Sequence, residues 1–279
     1  MRAWWSSPIG GLTALVITAA PASAAVHYRV VHTVHVGPDP VGVAVDPTTH
    51  FGYVTRTKCG RVAVIDEATH AVTDTIRVGA GPAGVAVDPT THTVYVANSR
   101  GGTVSVIDEA TDTVTHTVRV GAGPAGVAVD PTIHTAYVIS SGGGGTVSWI
   151  LETSNTARTY ALDIEPGGIA ADPVDHLVYI TFPGIGEVGA FGIGPTGFAA
   201  TFVELGGTPT GVAVDPADGV FVTNGVRDRV WVIAPGSQPP KSTGVLRVTG
   251  PLGVAVDTAS HVAYVTSPGV GTVALIQPS

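Results

Sequence analysis

The chain has 279 residues, of which 44% are hydrophobic and 12% are charged, and its formal net charge at pH 7 is −8. An acidic chain lacks the basic surface that general nucleic-acid binding needs, and a chain this apolar does not have the composition of a disordered protein. Its single cysteine excludes an internal disulfide, so stability must come from packing.

The N-terminal residues 1–24 have the pattern of a secretory signal peptide. Arg2 precedes an apolar run of about a dozen residues, and Ala22, Ser23 and Ala24 form a small-x-small cleavage pattern before Ala25. The run is too short for a membrane span, which needs roughly 20 apolar residues. We therefore expect residues 25–279 to be one exported domain without a transmembrane segment, extracellular, at the cell surface or periplasmic.

A repeat of 42 or 43 residues runs through the rest of the chain. The pattern Pro-x-Gly-x-Ala-x-Asp occurs six times, and a turn is expected after each final aspartate because Asp is favoured at the first turn position. An aromatic residue follows each turn. The aspartates are Asp46, Asp88, Asp130, Asp172, Asp215 and Asp257, and the aromatic residues are Tyr53, Tyr95, Tyr137, Tyr179, Phe221 and Tyr264.

Each repeat predicts four short strands separated by turns. In the second copy these cover residues 84–88, 93–98, 102–108 and 113–120, which are rich in β-branched residues. A period of roughly 40–45 residues with four strands is typical of a β-propeller blade. The six copies therefore predict an all-β, six-bladed propeller of four-stranded antiparallel blades.

The start of the predicted domain indicates how the ring closes. Residues 32–37 align with residues 74–79 and 116–121, which are fourth strands, whereas the last copy ends at a third strand. We therefore expect the N-terminal strand to complete the last blade. That pairing would remove two exposed sheet edges.

The segments that follow the turns resemble a known family. They are residues 53–56 (Tyr-Val-Thr-Arg), 95–98 (Tyr-Val-Ala-Asn), 221–224 (Phe-Val-Thr-Asn) and 264–267 (Tyr-Val-Thr-Ser). With Gly-Val-Ala-Val-Asp before and Val-Ile-Asp after, they are similar to the YVTN-repeat, YncE-like β-propeller family over essentially all of residues 30–277. The resemblance implies a propeller fold. Relatives include surface-layer and adhesive proteins and redox-enzyme subunits, and many have seven blades rather than six.

Basic residues concentrate on one predicted face of the propeller. We call it the loop face: it carries the connections from strand four to the next strand one and from strand two to strand three, and the opposite side is the turn face. Guanidinium groups pair bidentately with carboxylate or phosphate, so the cluster predicts an anionic ligand, the alternative being solvated loop charge. Its members are Arg56, Lys58, Arg61, Arg100, Arg227 and Arg229.

A second hypothesis concerns an axial metal on the same face. Oxygen-bearing side chains are the ligands that calcium prefers, and four of them lie in or beside these connections. They would serve an exported, lactonase-like hydrolase or lyase with its site at the channel mouth. These residues are Asn98, Glu187, Asn224 and Asp228.

On the turn face, histidines recur four positions after the repeat aspartates. Equivalent positions on neighbouring blades are a blade spacing apart, which is too far for them to share one zinc ion, so we expect turn residues rather than ligands. The aspartates are expected to bond their own turns, with calcium attraction by the rim as the alternative. The histidines are His50, His92, His134, His176 and His261.

Nothing in the sequence matches a catalytic motif of known mechanics. Cys59 has no histidine partner nearby in the sequence and is expected to be incidental. We expect a monomeric, non-catalytic scaffold without a cofactor, calcium being the alternative. It would bind a protein, a polysaccharide or a small anion through its loop face, and the metal-dependent enzyme is the second reading.

Overall fold

The computed structural model of the protein describes residues 33–194, 197–234 and 242–277. In these residues, 23 strands form six consecutive antiparallel sheets, each a blade of the propeller. The predicted signal peptide, residues 1–24, lies outside the described residues. The structure therefore bears on the propeller domain alone.

The strands of the first three blades follow the repeat. Blade 1 consists of β1 Pro40–Asp46, β2 Phe51–Arg56, β3 Arg61–Asp66 and β4 Ala71–Arg77. Blade 2 consists of β5 Pro82–Asp88, β6 Thr93–Asn98, β7 Thr103–Asp108 and β8 Thr113–Arg119. Blade 3 consists of β9 Pro124–Asp130, β10 Thr135–Ser140, β11 Thr146–Leu151 and β12 Thr156–Ala161.

The last three blades continue the same order. Blade 4 consists of β13 Ile169–Asp172, β14 Leu177–Phe182, β15 Glu187–Gly194 and β16 Gly197–Glu204. Blade 5 consists of β17 Pro209–Asp215, β18 Gly219–Asn224, β19 Arg229–Ile233 and β20 Ser242–Arg247. Blade 6 has β21 Val254–Asp257, β22 Val262–Ser267 and β23 Thr272–Ile276.

The predicted architecture is confirmed: the fold is all-β, with six blades around a propeller ring. Strands β5 to β8 match the four segments expected from the second repeat to within two residues. In the described residues, helical structure is limited to two short 3₁₀ turns, Gly142–Gly144 and Gly225–Arg227. No helix in that part of the chain is long and apolar enough to cross a membrane.

Neighbouring blades pack face to face through the repeat aromatic residue. Tyr53 of blade 1 is fully buried against Val94 and Val96 of blade 2, and Tyr95 packs in the same way against blade 3. Both faces of an inner blade are therefore covered by apolar side chains, which explains why its strands carry valine where a half-exposed sheet would alternate with charge.

A buried threonine fixes the register between blades. Thr55 on β2 accepts a hydrogen bond from the Gly42 N–H of its own blade (2.8 Å) and donates one to the Ala83 carbonyl of the next (2.7 Å). Thr181 and Thr223 repeat this arrangement. Because the Ala83 carbonyl approaches so closely, a Cβ at Gly42 would overlap it. This close approach explains the glycine of the Pro-x-Gly pattern.

We expect Gly84→Ala to destabilise the propeller by about 1–3 kcal/mol, because its Cβ would overlap the backbone carbonyl of Ala125 and force blades 2 and 3 apart. Urea denaturation followed by circular dichroism measures the change. Gly184→Ala is the matched control, since an added Cβ there meets no atom within 4 Å. Equal stability of the two variants would contradict the close approach.

The predicted closing strand is only partly within the described residues. Residues 33–39 form no strand, and residues 26–32 lie outside. The two faces that closure would bring together are exposed: Val273 on β23 is 54% exposed while its equivalent Val104 is 0%, and Val43 on β1 is 67% exposed while Val212 is 8%. Completion of blade 6 by the N-terminal strand stays a prediction.

Deleting residues 26–37 should lower the melting temperature by roughly 5 °C or more, about 2 kcal/mol for a domain of this size, because blade 6 then has no strand to cover its outer edge. Differential scanning calorimetry measures the shift. Deletion of residues 25–30 is the control, since it keeps the segment aligned with fourth strands. Similar melting of the two truncated chains would contradict closure by this strand.

Candidate functional site

Three arginines form a row across blade 1 at the loop face. Arg56 at the end of β2 is paired with Arg61 of β3, and Arg61 is paired in turn with Arg77 of β4. Directly opposed residues on antiparallel strands have Cβ atoms roughly 4.5–5.5 Å apart, and like charges in such positions are destabilising. The row therefore concentrates positive charge at a cost in stability.

A cleft between blades 1 and 2 continues this row. It has a volume of about 290 Å³, and Arg77, Lys58 and Arg100 contribute to its walls together with the glycine-rich connection between β4 and β5. The Arg100 side chain packs over Gly81, whose positive φ of 68° places it in the left-handed region that favours glycine. Basic side chains from two blades thus share one cleft.

Few acidic groups balance these charges. Lys58 forms an exposed ion pair with Asp39, with 2.7 Å between Nζ and Oδ1. Within the described residues, Arg56, Arg61, Arg77 and Arg100 form no salt bridge, and the Nε of Arg56 is buried without a hydrogen-bond partner. The guanidinium groups therefore remain available to an anion.

The structure divides the predicted basic cluster into two groups. Arg56, Lys58, Arg61 and Arg100 belong to blades 1 and 2, whereas Arg227 and Arg229 belong to blade 5. Arg77, the last residue of β4, was not among the residues predicted from the sequence. Only the strand register, which places it opposite Arg61, reveals it.

On blade 5, Arg227 lies over Gly206 and Gly207. Arg229 is paired across the strands with Arg247, which the sequence analysis also missed. The smaller basic group of blade 5 therefore has two opposed arginines where blade 1 has a row of three.

The four residues of the proposed channel-mouth metal site lie on three blades, and three of them have structural partners. The buried Asn98 amide donates hydrogen bonds to Thr103 and Ser105, and Asn224 bonds the backbone of the β16–β17 connection. Asp228 accepts a hydrogen bond from the Gly250 N–H. Glu187 begins β15 and is half-buried. An axial calcium site at these residues stays a prediction.

Cys59 is exposed at the edge of the cleft. Its Sγ lies 3.5 Å from the Arg56 carbonyl oxygen, so this thiol has a neighbour in the basic row. As the chain's single cysteine, it provides a natural labelling position beside the candidate site.

On the turn face, the repeat aspartates hold their own turns, as the sequence predicts. Asp46 Oδ1 accepts hydrogen bonds from the Thr48 N–H and the Thr48 hydroxyl, both at 2.6 Å. Five of the six turns end in a histidine with a positive φ, 54° in His92 for example, and such left-handed residues are found in turns. These five histidines therefore lie in turns, and the part of the prediction that concerns metal binding stays a prediction.

The sequence analysis missed the second partner of these aspartates. Four of the six pair through Oδ2 with the histidine of the following blade, and the His92 Nδ1 to Asp46 Oδ2 distance is 3.1 Å. The same contact joins His134 to Asp88 (3.3 Å), His176 to Asp130 (2.9 Å) and His261 to Asp215 (2.8 Å). The histidines thus link blades as well as ending turns.

These contacts shift the ionisation of both partners. The hydrogen bond from His92 to Asp46 raises the pKa of His92, and its equivalent to Asp215 raises the pKa of His261. Burial acts to raise the pKa of Asp46, but hydrogen bonds from Thr48 and His92 outweigh it and lower that pKa to about 2. The folded state therefore favours the charged histidine and the charged aspartate.

Stability should fall as pH rises above about 6.5, because a histidine with a raised pKa in the folded state stabilises fully below its unfolded pKa of about 6.5 and loses that contribution as the folded state deprotonates. Urea denaturation in metal-free buffer measures the slope, which should be shallower in a His92→Gln/His261→Gln variant. His116→Gln, an exposed change on β8, should leave the slope unchanged. A slope that the double variant shares with the parent would contradict the pairing.

Comparisons with known proteins support the fold and leave the family open. No family model matches the chain, and no curated protein matches it. The chain is similar to hydrazine synthase of Kuenenia stuttgartiensis, with 19% identity and a TM-score of 0.74 over 86% of this chain and 84% of that one. It is also similar to a protein of unknown function from Desulfotomaculum acetoxidans, with 18% identity and a TM-score of 0.72 over 82% and 79%.

At this level of identity the likeness shows the fold alone. The β-propeller is confirmed by solved structures as well as by the strand order. Membership of the YVTN-repeat, YncE-like family stays a prediction that rests on the sequence motifs.

Proposed function

We propose that this propeller is a binding module whose loop-face cleft takes an acidic polysaccharide. The observation that supports this most directly is the row Arg56, Arg61 and Arg77, three guanidinium groups on adjacent strands that form no salt bridge within the part of the chain that the structure describes. Arg100 and Lys58 extend the positive surface along the cleft. A propeller fold suits such a role because it presents many connections on one rigid face.

The geometry favours an extended polyanion over a single small anion. Adjacent strands lie about 4.7–4.9 Å apart, so the backbones of Arg56 and Arg77 are about two such spacings apart. Guanidinium groups bind carboxylate or sulfate through two parallel hydrogen bonds. A chain of sugars that carries repeated acidic groups can therefore engage several arginines at once and offset their mutual repulsion.

Because the chain as a whole is negatively charged, a polyanion is attracted only to the surface around these arginines. With a net charge of −8, the chain repels polyanions except where the arginines are concentrated, and salt screens the contact over roughly 8–10 Å. We therefore expect binding that is local and sensitive to ionic strength.

The predicted export signal is consistent with an extracellular ligand. Cleavage before Ala25 would release the propeller outside the cytoplasm, and the resemblance to YVTN-repeat proteins, some of which are surface-layer or adhesive proteins, supports the same location. N-terminal sequencing of the protein collected from the medium or periplasm tests this inference, with Ala25 as the expected first residue.

Replacing Arg61, Arg77 and Arg100 with Ser should weaken binding to alginate or dextran sulfate about tenfold or more, because each charge-assisted hydrogen bond contributes roughly 1.5–3 kcal/mol before screening. Binding is measured by fluorescence anisotropy of the labelled polymer at two salt concentrations. The charge-matched control replaces Arg158, Arg227 and Arg229 with Ser and should lose much less.

Alkylation of Cys59 gives an independent readout. A polymer in the cleft should slow reaction of this thiol with iodoacetamide, because Cys59 lies at the cleft edge. If the two triple variants weaken binding equally, or if the polymer leaves the alkylation rate unchanged, the cleft is not the binding site. Equal competition by inorganic phosphate at low concentration would indicate a small-anion site instead.

A further inference from the structure

Within the described residues, three groups of one histidine and two carboxylates lie on the turn face, away from the basic cleft. One of them, Asp215, Asp218 and His261, takes both carboxylates from a single turn, and its Asp218 is partly exposed. The remaining two are equivalent trios. Each combines the repeat aspartate of one blade with a histidine and a glutamate of the next. The first consists of Asp46, His92 and Glu109, and the second of Asp88, His134 and Glu152. In each trio the nitrogen and oxygen atoms that can bind a metal lie within 4.8 Å of one another.

The distances in the first trio suit a shared ion. His92 Nδ1 lies 3.1 Å from Asp46 Oδ2 and 3.6 Å from Glu109 Oε2. Two atoms bound to one Zn²⁺ at about 2.0–2.1 Å are roughly 3.3 Å apart in a tetrahedron. Asp46 can bind through Oδ2 without disturbing its turn, because the turn is held by Oδ1.

Two buried polar atoms at the first trio make no hydrogen bond of good geometry. The Glu109 side chain is 4% exposed, yet its Oε1 makes no hydrogen bond. The hydroxyl of the fully buried Tyr53, beside Glu109, also has no hydrogen bond of acceptable geometry. A buried carboxylate oxygen without a partner is costly, and a bound cation would satisfy it.

The same pattern recurs one blade further on. His134 Nδ1 lies 3.3 Å from Asp88 Oδ2, and the Oε2 of Glu152 is buried without a partner, as is the Tyr95 hydroxyl. The other carboxylate oxygen of Glu152 is held by the Thr93 hydroxyl at 2.7 Å. The repeat has therefore built the same arrangement twice, at the junctions of blades 1 with 2 and 2 with 3.

Electrostatics also favour a cation in the first trio. Burial, together with the neighbouring Asp46 carboxylate, raises the pKa of Glu109 to about 7. Two carboxylates therefore compete for one histidine, and Glu109 is only partly ionised at neutral pH. A divalent ion would let both ionise, because an opposite charge within about 4–6 Å favours the charged form.

We propose that each trio binds one divalent transition-metal ion, with Zn²⁺ as the best fit. One imidazole nitrogen and two carboxylate oxygens are a donor set that zinc accepts, whereas calcium takes six to eight oxygen ligands. Three protein ligands leave a fourth tetrahedral position for solvent or an exogenous ligand. Cavities adjoin both trios, of about 420 Å³ beside His92 and Glu109 and about 240 Å³ beside Glu152.

This proposal revises the expectation that the repeat histidines are too far apart to bind zinc. That expectation compares histidines with one another, whereas the ligands of each ion here are unlike residues from adjacent blades. A histidine that lacks the glutamate provides an internal comparison: His176 pairs with Asp130 at 2.9 Å, and in the described residues no third metal-binding group accompanies them.

Zinc binding can be counted directly. The purified chain is stripped with a chelator, dialysed against buffer with micromolar Zn²⁺ and analysed by mass spectrometry for metal. The parent chain for this count carries Asp218→Asn, which removes a carboxylate of the third group. We expect two zinc ions per chain in this parent, one after Glu109→Gln and none after Glu109→Gln/Glu152→Gln. His176→Gln is the matched control and should retain two. Zinc should also raise the melting temperature of the parent and leave that of the double variant unchanged.

Glutamine has the shape of glutamate. The pKa of Glu109 is already raised, so the folded protein tolerates an uncharged side chain there. The variants should therefore fold. Circular dichroism and melting in metal-free buffer check this point. Co²⁺ in place of Zn²⁺ should give a visible absorption band in the parent that the double variant lacks. Less than about half an equivalent of zinc in the parent, or equal zinc content in the parent and the double variant, would overturn the proposal. The Arg61, Arg77 and Arg100 variant should bind zinc normally, which separates this site from the polysaccharide cleft.

Discussion

The structure depends on the contact between successive blades. A four-stranded sheet of this sequence has two apolar faces and cannot bury either one alone, so each repeat needs its neighbours. Tyr53 fills the junction while Thr55 bonds backbone groups of both blades. The backbone at Gly42 approaches the next blade so closely that no side chain fits. The repeated residues of the sequence are therefore mainly junction residues, which explains why they specify the fold much more than the function.

The same junction explains the chemistry of the turn face. One oxygen of the repeat aspartate holds its own turn and the other receives the histidine of the next blade. The fifth copy of the repeat departs from this pattern, because Gly219 occupies the position that is histidine in the other copies. There the Oδ2 of the preceding aspartate, Asp172, is buried without a partner. A change of one residue in a turn thus removes a contact between blades, because that contact depends on position in the repeat.

The sequence predicted the architecture because the period, the turn residues and the β-branched strands all agree. It did not predict which side chains meet across blades. Residues at the same position of different repeats are identical or similar, but they lie a blade spacing apart. The residues that meet across blades occupy different repeat positions: Asp46 and His92, for example, are in contact although 46 positions separate them in the chain. The arginine row was missed in part for a related reason, since Arg77 joins Arg61 only through strand register. Contacts set by register or by blade packing do not appear in the repeat pattern itself.

Because the strands are antiparallel, each blade has one end on the loop face and the other on the turn face. Blades 1 and 2 carry charged or ionisable side chains at both ends. Their loop-face ends carry Lys58 and Arg100, whereas their turn-face ends carry Asp46 and His92. Between the two groups lies one junction whose register is fixed by the Thr55 hydrogen bonds. Sites on rigid elements hold their geometry better than sites on free loops. The basic cleft and the trio of Asp46, His92 and Glu109 are therefore positioned by the same packing contact, with guanidinium groups at one end and carboxylates at the other.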